Sequence, residues 1–121
     1  MGGLISLYAL AEHPAVFGGA AAMSTHWPAG NGAMVDYLRT APLDPAAHRL
    51  YMDHGTATLD STYAPFQRRA DSVMRALGFA EGRGWTSRVF PGAEHSERAW
   101  RARVEAPLVF LLGAPPARRA R

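Results

Sequence analysis

Three short apolar stretches, residues 16–25, 49–54 and 85–90, are each separated by enough chain to hold a helix. Strands joined at that distance have room to run parallel, whereas a tight hairpin would set neighbours antiparallel. The alternation predicts an α/β architecture of about three parallel strands with flanking helices. Residues 16–25 (VFGGAAAMST) are small, apolar and uncharged. They predict a central strand, buried on both faces and closely approached by helices at Gly18, Gly19 and Ala20. Residues 85–90 alternate Trp85, Ser87 and Val89 against Thr86, Arg88 and Phe90 until Pro91-Gly92 breaks the pattern.

The helices follow from periodicity. Leu4, Leu7, Tyr8 and Ala11 fall on one helical face, and His13-Pro14 ends the run because proline disfavours helix at the residue before it. The chain is thus expected to start inside an element. Residues 29–38 predict a weak helix with Met34, Tyr37 and Leu38 on one side, followed by a turn at Pro42, Asp44 and Pro45. Residues 61–77 give the clearest helix, with Phe66, Ala70, Val73, Met74 and Leu77 as its stripe and Gly78 as its stop. A last helix is expected over residues 96–104, then Pro107 and an apolar segment over residues 108–112.

Composition narrows the function classes. Of 121 residues, 48% are apolar and 19% charged, which argues against disorder and coiled coil. No apolar run is long enough to cross a bilayer, so no membrane partner is expected. The absence of cysteine removes a disulfide framework, a thiolate zinc site and a cysteine nucleophile. The net charge of +3 is carried by arginines scattered among acids, except at Arg118, Arg119 and Arg121. Without a basic stripe and aromatic platforms, no nucleic-acid partner is expected. Residues 114–121 read as a disordered Pro/Arg-rich tail. His13, His48 and His54 show no metal-ligand spacing and read as surface or supporting residues, so no metal and no cofactor are expected.

Ligands of parallel sheets sit beyond the carboxyl ends of the strands. The polar clusters occupy those places: residues 24–28 (STHWP), 54–60 (HGTATLD) and 92–97 (GAEHSE). Three segments then resemble a known family. Met1-Gly2-Gly3-Leu4, opening a small-residue helix, is similar to the second half of a nucleophile elbow, Gly-x-Ser-Met-Gly-Gly. Asp53-His54-Gly55-Thr56 through Asp60, with Tyr63 and Phe66-Gln67 beyond, is similar to the acid-bearing turn. Residues 90–100 (FPGAEHSERAW) are similar to the histidine loop and are the most specific part. Together they resemble the esterase family of α/β-hydrolases that includes esterase D-like, feruloyl esterase and enterochelin esterase-like proteins.

The resemblance covers residues 1–113 and implies the C-terminal portion of a doubly wound hydrolase domain. It implies a carboxylic-ester hydrolase of the Ser-Asp-His type, without cofactor, acting on a small-molecule ester. The family's serine would directly precede Met1, so the chain as given is expected to be inactive and to need the N-terminal part of the domain as its partner. His95 would be the general base and acid, with Asp60 as its orienting carboxylate. Asp53 is the rival acid, and Asp60 before Ser61 is also a natural helix N-cap. Met1 would give its backbone N–H to the oxyanion, in the intact enzyme only. His26 and Trp27 would line the substrate pocket, the other reading being aromatic packing at a sheet edge. Ser6 and Ser24 lack an elbow and are poor substitutes for the nucleophile. The alternative function is a non-catalytic binding or scaffold module that keeps this pocket. Either way, an uncovered sheet edge is expected to promote aggregation.

Overall fold

The computed structural model describes residues 1–113; the arginine-rich tail, and the disorder expected of it, lie outside the described residues. The chain runs α1 (Gly2–Glu12), β1 (Gly19–Met23), α2 (Ala33–Leu38), β2 (Arg49–Gly55), α3 (Ala64–Ala76), β3 (Trp85–Phe90), α4 (Glu97–Arg103) and α5 (Glu105–Leu112), with 3₁₀ turns at Ala29–Asn31 and Thr58–Thr62. The three strands lie in the order β1-β2-β3 and both pairings are parallel. The fold is therefore α/β, a parallel three-stranded sheet with flanking helices.

Register assigns the two faces. Ala20 pairs with Leu50, and Leu50 with Trp85, while Ala22 pairs with Met52. Paired residues of parallel strands point the same way, so these side chains form one face. They share a core cluster with Leu7 and Leu10 of α1, Val35 and Leu38 of α2, and Val73 and Met74 of α3. Each fully buried large side chain there contributes on the order of 1.5–3 kcal/mol. Tyr51 faces the other way, its ring 6.4 Å from that of Phe110 on α5. Helices α1–α3 thus cover one face, and α5 covers the other.

Several expectations need correction. The first strand is shorter than expected and lies at an edge, with Gly19 and Ala21 exposed; β2 is the buried central strand. Alanine and glycine bury so little area that a covered face and a bare one read alike in the sequence. Gly19 is closely approached, since a Cβ there would lie 2.7 Å from the Arg49 carbonyl oxygen, but Gly18 has open space around it. On α1, Leu4, Leu7 and Ala11 are buried as expected, but Tyr8 is 45% exposed against Tyr37, and Gly3 and Leu10 turn inward as well. Helix α3 begins at Ala64 because Thr58–Thr62 forms a separate 3₁₀ turn. The segment after Pro107 belongs to a helix that starts at Glu105. Proline is tolerated in a first turn, where its missing N–H has no intrahelical acceptor.

Candidate active site

Three loops meet beyond the carboxyl ends of the strands. Ser24 follows β1, Asp60 lies in the 3₁₀ turn after β2, and His95 lies in the loop after β3. The second and third loops are stitched together by main-chain bonds. Ala93 O accepts from Thr56 N at 3.1 Å and Ala57 N at 3.0 Å. Thr56 Oγ1 accepts from Gly92 N at 2.7 Å, and Thr58 Oγ1 accepts from His95 N at 2.8 Å. Gly55 makes this closeness possible, because a Cβ there would lie 2.0 Å from Ala93 O. Ser96 then caps α4, accepting from Ala99 N.

The seam brings Asp60 and His95 into a pair. Asp60 Oδ1 is 2.7 Å from His95 Nδ1, with the carboxylate side chain fully buried and the imidazole 18% exposed. Asp60 Oδ2 accepts from Gly55 N and from Ser24 Oγ, each at 2.6 Å. With both oxygens engaged, the carboxylate cannot rotate away. A carboxylate only accepts, so in the neutral imidazole this contact places the proton on Nδ1 and the lone pair on Nε2. Nε2 has no hydrogen-bond partner among the described residues. Asp60 caps no helix: α3 starts after Tyr63, without a side-chain cap.

Aromatic groups fix the imidazole from the sides. Trp100 meets His95 edge to face with centroids 4.9 Å apart. Tyr63 is nearly perpendicular to His95, its hydroxyl 3.5 Å from Nδ1 and 2.8 Å from His26 Nδ1. Burial, followed by the charge of Asp60, pushes the Tyr63 phenol up to about 12. It therefore stays protonated, and the shorter distance directs its proton to His26.

A cleft of about 310 Å³ opens beside the pair. His95 and Trp100 form one wall; Met1, Gly2 and Gly3, at the head of α1, form another. No side chain caps α1, so the free N–H groups of its first turn have no partner from a capping residue. A cleft of about 520 Å³ between β3 and α5 is larger but holds no histidine.

Neither the models of known families, nor curated proteins, nor solved structures match this chain.

The remaining candidates fall elsewhere. Asp53 does not reach His95; it is wholly buried against Arg103, with Nε at 3.0 Å from Oδ2 and Nη2 at 3.0 Å from Oδ1. It also accepts from Tyr51 OH at 2.8 Å and Ser24 N at 3.1 Å. Trp27 is no pocket residue. It is fully buried in the core, and its Nε1 donates to Gln67 Oε1 at 2.9 Å. His26 stands behind Tyr63 rather than on the cleft wall. His48 and His54 are buried, not superficial; His48 Nδ1 accepts from Asp44 N and its Nε2 donates to Pro14 O. Met1 lies at the cleft, 74% exposed. Ser6 donates to Gly2 O, so neither it nor Ser24 is bonded to His95. No group of three or more His, Asp or Glu among the described residues could hold a metal ion, and no described helix is long and apolar enough to cross a membrane. Sequence reasoning missed Arg103, the bond from Trp27 to Gln67 and the role of Ser24. A hydroxyl directly after a strand was the available signal for Ser24.

Proposed function

We propose that the chain carries the acid and histidine of a carboxylic-ester hydrolase of the Ser-Asp-His type, in the C-terminal portion of its domain. The observation that carries this reading is the Asp60–His95 pair: one ring nitrogen committed to a locked carboxylate, the other unbonded. In the reaction, His95 Nε2 takes the proton of a serine hydroxyl as its oxygen attacks the ester carbonyl. Asp60 holds the tautomer and stabilises the imidazolium. His95 then returns the proton to the leaving alcohol, and a water molecule repeats the cycle on the acyl-enzyme. On this reading the serine is contributed in trans or by a joined segment, not by Ser6 or Ser24, whose hydroxyls are bonded elsewhere. The first turn of α1 supports this placement, because Met1, Gly2 and Gly3 line the same cleft and no side chain caps their helix, which suits a developing oxyanion. The cleft volume suits a small-molecule ester.

The expected outcome is that residues 1–121 give no burst with p-nitrophenyl acetate, whereas the chain joined to a segment ending in Gly-x-Ser does. His95→Ala should then lower the rate by about 10⁶ and Asp60→Asn by about 10⁴. A stoichiometric burst from residues 1–121 alone refutes the placement of the nucleophile. One observation favours a second reading, a non-catalytic module: both hydroxyls near the cleft, Ser6 and Ser24, are spent on other partners. Saturable ester binding by the joined chain without turnover would decide for it.

A further inference from the structure

We infer that Ser24 and Arg103 form a buried relay that sets the direction in which Asp60 faces His95, making both positioning residues; this rests on the reading of Asp60 and His95 as the working pair. Arg103 is the last residue of α4, and its side chain is only 4% exposed. Its Nη2 donates to Ser24 Oγ at 2.7 Å, and Ser24 Oγ lies 2.6 Å from Asp60 Oδ2. A guanidinium has no acceptor, so Ser24 must accept from Arg103 and spend its single proton on Asp60. The hydroxyl, ordinarily free to rotate, is left one orientation. Asp60 Oδ2 is thereby occupied and Oδ1 is left to His95.

The backbone at Ser24 points the same way. Its φ is +44°, in the left-handed region that a residue with a Cβ enters only at a cost. Its N–H is held by Asp53 twice, through the carbonyl oxygen at 3.0 Å and Oδ1 at 3.1 Å. Asp53 already receives Arg103 through both carboxylate oxygens, so that ion pair is complete without Ser24. What the strained turn adds is the link to Asp60. Helix α4 starts at Glu97, two residues after His95, so the relay also ties the far end of the helix leaving the histidine loop to the acid.

The test is nuclear magnetic resonance of the His95 imidazole in the full chain. The unmutated chain should show a far-downfield proton on His95 Nδ1 and a single tautomer. Ser24→Gly is the variant of choice, because glycine accepts a positive φ and only the side chain is lost. Loss of that resonance in a chain that keeps its dispersed amide spectrum supports the relay; an unchanged resonance overturns it. Asp60→Asn separates the two levels. If it too leaves His95 unchanged, the pair itself is refuted, and the relay with it. If only Ser24→Gly is silent, the pair stands and the relay falls. Should Ser24→Gly not fold, the unmutated chain decides. A slowly exchanging Ser24 hydroxyl proton with a nuclear Overhauser contact to the Gly55 amide supports the relay, since both donate to Asp60 Oδ2. A freely exchanging hydroxyl overturns it.

Discussion

Arg103→Met replaces a buried guanidinium by an apolar chain of similar length. Asp53 has no exposed surface and takes four donated bonds, from Arg103 Nε and Nη2, Tyr51 OH and Ser24 N. The substitution removes the only charged donors and leaves two neutral ones against a buried negative charge. Removing one partner of a buried pair costs about 3–5 kcal/mol. A domain of this size is stable by about 5–15 kcal/mol, so the loss consumes a large share. With a urea slope of about 2 kcal/mol/M, the unfolding midpoint should fall by about 2 M. The double variant Arg103→Met/Asp53→Asn should recover part of the loss, because it removes the orphaned charge. Urea unfolding followed by circular dichroism and by tryptophan fluorescence measures both. A single-variant loss below about 1 kcal/mol, or a double variant no better than the single, would refute the claim that this pair is a buried electrostatic unit.

Gly55→Ala should cost more than about 3 kcal/mol, as it forces a Cβ onto the Ala93 carbonyl, and the downfield His95 proton should vanish with it. A thermal melt and the same imidazole spectrum check it. Tyr63, raised from 10.0 to about 12, keeps a proton that the unfolded chain releases. Its contribution to stability is therefore whole below pH 10.0 and is lost as pH rises towards 12. Absorbance at 295 nm should show that ionisation step smaller by one phenol in Tyr63→Phe, the remainder belonging to Tyr37, which its bond to Glu12 also raises to about 12. Residues 1–121 should self-associate through β1, an edge strand with no charged residue, and Ala21→Lys should shift the species seen by light scattering towards monomer. On β3, the other edge, Arg88 already serves that purpose.

Periodicity made the strands and long helices legible, because bulky residues such as Leu50, Met74 and Trp85 reveal which side is covered. It failed at β1, whose glycine and alanines carry too little area to mark a face, and at α5, where Pro107 reads as a break. Asp60 and His95 were legible as candidates because each lies in a polar cluster just after a strand. Arg103 was not. Its partner Ser24 lies 79 positions away, and nothing in Arg101-Ala102-Arg103 distinguishes the buried arginine from the exposed one. Trp27 misled for a related reason. An aromatic residue after a strand suits a pocket as well as a core, and only Gln67, 40 positions on, decides between them.

The contact between Gly55 and Ala93 reaches beyond this one chain. It places main chain against main chain, so the spacing of the acid and histidine turns rests on the backbone at Gly55 and Ala93, with the Thr56 and Thr58 hydroxyls as the side chains that join the seam. For grafting this pair onto another scaffold, the element to transplant is the glycine at the end of the strand together with the carbonyl that rests on it.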